Sequence, residues 1–270
     1  MEARPVFGTI ACGVDGSEAA YEAVRQASLL GPGARVTLVA VAHHGGAGLT
    51  EQASPSPDRA REAIERARRV AAPLGVTTSE LVVESRDAAS VLLREGESHD
   101  LVAVGARRQE PRAAGILLGS VPAALVHRAH APVLLARRPP AGAEFPSHVL
   151  VASDDSEDAE RAIRLAAEIA RGHGSQLTIL RVVRQRDPSH RQALIEHTAG
   201  LLAGNGPDAT VLVEEGEAAD AIVEVSGRAS TSLIVVGSRG LGGVWALASV
   251  SERVAHRAPC SVLVARSAGG

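Results

Sequence analysis

The feature that most constrains this chain is that it repeats itself. Ser120-Val121, His127-Arg128-Ala129 and Val133-Leu134-Leu135-Ala136-Arg137 recur as Ser249-Val250, His256-Arg257-Ala258 and Val262-Leu263-Val264-Ala265-Arg266, every pair 129 positions apart. Val104-Gly105 recurs as Val236-Gly237 at an offset of 132, and Asp15 before Gly16-Ser17-Glu18 recurs as Asp154 before Asp155-Ser156-Glu157 at 139. Offsets that hold within blocks and change only between them mark a duplication with insertions and deletions in loops. A chain of 270 residues suits two domains of about 130, each able to bury its own core. The copies are expected over residues 5–137 and 147–266. Between them Arg138-Pro139-Pro140 to Pro146 is Pro-rich and without periodicity, which reads as a short, stiff linker.

Within each copy the pattern alternates between strand and helix. Thr9–Val14 and His148–Ala152 are short apolar runs ending in polar turns, as expected of parallel strands buried on both faces. Ser17 and Ser156 then stand where helix N-caps are needed. After Ser156 the apolar positions Ala159, Ile163, Ala166 and Ala170 share one face, and Gly172 is the expected stop. Further strands are expected at Val36–Ala42 and Leu177–Val183, around Leu81-Val82-Val83 and Val211-Leu212-Val213, at Leu101–Val104 and Leu233–Val236, and at Val133–Ala136 and Val262–Ala265. A helix is expected over about residues 58–72. Five strands alternating with four helices predict an α/β fold: two tandem doubly wound, five-stranded parallel sheets with right-handed crossovers. With one Trp, one Tyr and two Phe in the whole chain, those cores have to be built from Ala, Val, Leu and Ile.

In such sheets ligands bind beyond the carboxyl ends of the strands, so two loops in each copy are candidates. After strand one, Asp15 and Asp154 could accept a hydrogen bond from an adenine amine or a ribose hydroxyl. Equally, the turn could do no more than cap the next helix. After strand four the second copy reads Gly237-Ser238-Arg239-Gly240-Leu241-Gly242-Gly243, where glycines let backbone N–H groups converge on an anion.

The order Val-Asp-Gly-Ser-Glu after strand one, Ile-Val-Val-Gly-Ser-Arg-Gly at strand four, and Ser-Val-Ser-Glu-Arg-Val before His-Arg-Ala-Pro-Cys-Ser-Val-Leu-Val resembles the universal stress protein domain, twice over nearly the whole chain. The resemblance implies an adenine nucleotide alpha hydrolase-like fold and a stress-response regulatory module that binds ATP, with Mg²⁺, or another adenine nucleotide. Carried onto this sequence, it assigns Asp15, Gly16, Val41, Gly105, Gly119 and Ser120 to the first nucleotide site, and Asp154, Gly237, Gly240 and Ser249 to the second. The family's alternatives are a nucleotide-free protein-interaction module and a weak ATPase. For the latter no loop carries a nucleophile, base and orienter set, so no catalytic or metal-binding residue is assigned.

The loops depart from the family's Gly, two residues, Gly, nine residues, Gly-Ser pattern in different ways. In the first copy Arg108 stands where the second glycine belongs, and Gly119-Ser120 comes one residue late. In the second, Gly237 and Gly240 are correctly spaced but Ala248-Ser249 follows two residues early, and Asp155, in place of Gly16, adds a negative charge. A slack loop is easier to accommodate than a short one, so the first copy, with Arg107, Arg108 and Arg112 in its loop, is expected to hold nucleotide more tightly.

The formal charge of −3 argues against nucleic acid as a partner. No apolar run approaches bilayer length, so a cytoplasmic protein with no membrane partner is expected. The last strand of each copy is an apolar edge, and the resemblance implies pairing through it: an intramolecular pseudo-dimer, with a further homodimer left open. Cys12 and Cys260, far apart and without metal-ligand spacing, are expected to be free buried thiols.

Overall fold

The strands expected from the apolar runs all form, and their order decides where a ligand can sit. The computed structural model describes residues 5–42, 56–106, 118–140, 142–183, 196, 200, 207–238 and 250–266. By its contacts the chain divides at Arg137/Arg138 into two compact units.

In the first unit β1 (Thr9–Gly13), β2 (Arg35–Ala42), β3 (Thr77–Glu84), β4 (Leu101–Gly105) and β5 (Val133–Ala136) lie in the order β3-β2-β1-β4-β5, all parallel. The connecting helices are α1 (Glu18–Leu30), α2 (Pro57–Ala71), α3 (Ala88–Glu95) and α4 (Ser120–Arg128). Right-handed crossovers that run first outward to β3 and then back to β4 put α1 and α2 on one face and α3 and α4 on the other. The pairs α1/α2 and α3/α4 accordingly pack together.

The second unit repeats the order with β6 (His148–Ser153), β7 (Gln176–Val183), β8 (Ala209–Glu215), β9 (Leu233–Gly237) and β10 (Ser261–Ala265), arranged β8-β7-β6-β9-β10 and again parallel. Its described helices are α5 (Glu157–His173), α6 (Ala218–Arg228) and α7 (Val250–Arg257). The crossover after β7, where the counterpart of α2 is expected, lies outside the described residues.

Local chemistry accounts for the helix starts. Ser17 and Ser156 sit in extended conformation with their hydroxyls accepting from the backbone N–H of Ala20 and Ala159, as N-caps do. The stop of α5 differs from the expectation at Gly172. The helix runs on to His173, and Gly174 in the left-handed conformation ends it, its N–H bonded to the Ala170 carbonyl. The supposed linker is also partly structure. Phe145 is buried, Ser147 N–H donates to Glu144 O, and Gln176 N–H donates to Ser147 O, so its second half belongs to the second unit.

The central strands are buried on both faces: Ile10, Leu38, Leu101, Leu134 and Leu135 in the first unit, Leu150, Ile179, Leu233 and Leu263 in the second. Cys12, inside β1, and Cys260, just before β10, are fully buried and neither is in a disulfide. Among the described residues no helix is long and apolar enough to cross a membrane.

Candidate functional site

In each unit the crossover after the first strand turns one way and the crossover after the fourth turns the other. This opens a crevice between the carboxyl ends of β1 and β4, and of β6 and β9. The glycines that end β4 and β9 are there for packing as well. A methyl group on Gly105 would stand 2.4 Å from the Ala19 carbonyl carbon and 2.6 Å from Ala20 N, so only glycine lets the first turn of α1 seat against the end of β4. At Gly237 the same methyl would meet the Asp158 backbone at 3.1 Å, a looser fit.

The turn after β1 is held by Asp15, whose Oδ1 accepts from Ser17 N–H at 2.9 Å, with Gly16 at φ 82°. After β6, Asp154 Oδ1 accepts from the backbone N–H and the hydroxyl of Ser156. There Asp155, not glycine, takes the left-handed conformation at φ 64°. Its carboxylate is gripped by both terminal nitrogens of Arg181, whose side chain is only 7% exposed against 40% for Asp155. By strand register Arg181 of β7 matches Ala40 of β2. The second unit has thus exchanged a Gly/Ala pair for an Asp/Arg pair. The charge expected to repel a ligand is instead neutralised by a buried guanidinium, which no adjacency in sequence announces.

A cavity opens at each crevice, about 170 Å³ in the first unit and about 470 Å³ in the second. The two are lined by matched positions: Asp15 and Asp154, Val41 and Val182, Leu92 and Ile222, Gly105 and Gly237, Pro122 and Ser251. Of the residues singled out from the sequence, Asp15, Val41 and Gly105 line the first cavity, and Asp154 and Gly237 the second. Gly16 does not line the first cavity, a methyl group built there standing 3.7 Å from Ala63 Cβ on α2, and Gly119 and Ser120 sit exposed at the cap and first residue of α4. Gly240 and Ser249 lie outside the described residues.

Sequence reasoning missed the contribution of the third helix, Leu92 on α3 and Ile222 on α6, and of Ser153, Glu217 and Ser251. A signal existed. Asp87 and Glu217 both cap these helices, 130 positions apart, and extending the repeat across them leads to Leu92 and Ile222.

Two carboxylates at the second crevice, Glu217 and Asp220, are paired with arginines. Glu217 at the rim accepts from Ala219 N–H and pairs with Arg253 at 2.7 Å. Behind it, the hydrogen bond from Arg257 to Asp220, aided by the charges of Arg257 and Arg253, holds the Asp220 carboxyl below the usual carboxylate range. Ser238, the first residue past β9, donates its hydroxyl to Asp158 on α5 at 2.9 Å. The matched residues of the first unit are Ala106 and Ala19, which cannot form this side-chain bond.

The same fold occurs in known proteins. The universal stress protein family pattern matches residues 7–137, 146–201 and 187–266. The chain belongs to the universal stress protein family. A universal stress protein of Mycolicibacterium smegmatis is 32% identical over 235 residues, 77% of each chain. One from Thermus aquaticus is 32% identical over 134 residues, 44% of this chain and 97% of that protein, which is one copy's worth. Among solved structures, a universal stress protein from Archaeoglobus fulgidus has the same fold at 22% identity, with a TM-score of 0.74 over 96% of this chain and 98% of that one. Two universal stress domains in tandem therefore make up this chain.

Proposed function

We propose that this tandem universal stress protein is a regulatory module of the cytoplasm whose state follows a bound adenine nucleotide, ATP with Mg²⁺ being the ligand to test first. The observation that carries this reading is the 470 Å³ cavity at the switch crevice of the second unit, within the roughly 300–1,000 Å³ range of small-molecule sites. Its walls suit the nucleoside end. Leu180, Val182 and Ile222 offer an apolar surface to a base, and the half-buried Asp154 carboxylate is an acceptor for an exocyclic amine or a ribose hydroxyl. The phosphates would run toward the loop that follows Gly237. The rim carboxylate Glu217, which would oppose them, is compensated by Arg253. Bound nucleotide would bring a polyanion and its Mg²⁺ to one edge of the sheet, and that change in surface charge is what a partner would read.

Two measurements test the reading. The supernatant of heat-denatured, purified protein is resolved by ion-exchange chromatography for nucleotide carried from the cell. Calorimetric titration of ATP and Mg²⁺ into the emptied protein is expected to show saturable binding without turnover. No nucleotide and no heat of binding would leave the nucleotide-free interaction module as the function, and steady release of phosphate would make the protein an ATPase.

A further inference from the structure

We infer that the chain holds a single nucleotide, in the second unit, and that the matching crevice of the first is closed because α3 settles onto a glycine in β1. This rests on the nucleotide reading above and reverses the order of affinity expected from loop lengths. The strand side chains beneath the third helix do not account for the difference in volume, although Val14 and Pro122 in the narrow crevice stand where the wide one has Ser153 and Ser251. Ala152 and Leu180 in the wide crevice are larger than Gly13 and Val39 at the matched positions of the narrow one, and Ile222 is the same size as Leu92. At these positions the smaller cavity has the smaller residues, so on this side what differs is how closely the helix approaches the sheet.

Gly13 shows the cause. A methyl group built there would stand 3.0 and 3.5 Å from the two methyls of Leu92 and 3.1 Å from Val104 Cγ1. Leu92 has therefore taken the space that a side chain on β1 would fill, and α3 lies down over the strand end. In the second unit Ala152 carries that methyl, so Ile222 cannot settle as deeply and α6 is held off the end of β6. Pro122, buried in the first turn of α4, closes the first crevice from the other side, where the second has the smaller Ser251. A cavity of 170 Å³ is below the roughly 300 Å³ at which small-molecule sites begin, and among the described residues its walls are apolar except at Asp15. Gly13 and Ala152, with Pro122 and Ser251 on the other side, are thus the residues that decide which unit binds.

The experiment is calorimetric titration of the full chain with ATP and Mg²⁺, read for stoichiometry and then for the effect of substitution. The wild-type chain is expected to bind one equivalent. Ala152→Leu, which fills the wide crevice, should abolish binding. Asp154→Asn, which keeps an oxygen for the turn bonds to Ser156, should weaken it roughly tenfold or more, as loss of a charged hydrogen-bond partner does. Two equivalents per chain would overturn the inference, as would a tenfold loss from Asp15→Asn with none from Asp154→Asn. Both of these results leave the nucleotide reading standing, whereas no saturable binding by the wild-type chain sinks that reading and this one together.

Discussion

Gly16 and Asp155 hold the same left-handed backbone, and the chemistry around them is opposite. The first unit uses the residue for which that conformation is free and has Ala40 at the position matched to Arg181. The second pays about 1–2 kcal/mol for a side chain there and recovers it through a carboxylate gripped by the buried Arg181. A second contrast has the same form at the other end of the sheets. Thr37 and Thr178 occupy matched positions on β2 and β7, and each is bridged by a histidine to a carbonyl at the end of the third helix. In the first unit this is His99, which follows α3. Its Nδ1 is 2.7 Å from Glu95 O and its Nε2 2.9 Å from Thr37 Oγ1. In the second it is His148, at the start of β6, with Nδ1 2.9 Å from Ala229 O and Nε2 2.9 Å from Thr178 Oγ1. In both rings the carbonyl requires the proton on Nδ1, leaving Nε2 to accept from the threonine hydroxyl. After duplication the backbone geometry has been kept while the groups that satisfy it have moved along the chain. They moved in pairs, because a buried polar group left alone costs more than the bond contributes.

This comparison can be tested unit by unit, since Cys12 and Cys260 place one fully buried thiol in each. Burial pushes the Cys12 thiol up to about 12, so it reacts only when the first unit opens. The sign of its pH effect follows. Above about pH 9 the unfolded thiol ionises while the folded one stays protonated, so the first unit loses stability between pH 9 and about 12.

The largest effect expected is from Gly105→Ala, whose new methyl meets backbone at 2.4 Å. It should destabilise the first unit by about 3 kcal/mol, the upper end for overpacking, and speed labelling of Cys12. Gly237→Ala, with its contacts at 3.1 Å, should cost the second unit only about 1 kcal/mol. Equal costs would mean that the two helices seat alike.

Next is the Asp155/Arg181 pair. Asp155→Gly restores the residue of the first unit but strands the buried guanidinium, and should cost about 2 kcal/mol, below the usual figure for a broken buried pair because Asp155 is 40% exposed. Arg181→Ala should cost about 1 kcal/mol. The double variant, which recreates Gly16 with Ala40, should return to within about 0.5 kcal/mol of wild type. Denaturant unfolding followed through Cys260 labelling measures all three, and simple additivity would show that the exchange was not compensatory.

The smallest difference separates the two histidines. His148→Ala leaves the buried Thr178 hydroxyl unpaired and should cost about 2 kcal/mol. His99→Ala should cost about 1 kcal/mol, because the half-exposed site admits water and Thr37 keeps its bond from Ser79. A reversed order would show that water, not the threonine, sets the cost.

Whatever depends on neighbours along the chain was legible in the amino-acid sequence. The duplication, the ten strands, the caps at Ser17 and Ser156 and the placing of Asp15 and Asp154 at strand ends all follow from periodicity and from which side chains can cap or turn. The structure alone decided what depends on strand order, because β1 lies beside β4 and β6 beside β9 with two strands and three crossovers between them in sequence. That order brings Gly105 onto the backbone of Ala19, Arg181 under Asp155 and Leu92 over Gly13. The last of these turns on a single methyl group, present at Ala152 and absent at Gly13. Its consequence, one wide crevice and one narrow, depends on how deeply a helix rests on a sheet, which is a property of packing between distant segments and leaves no periodic mark in either.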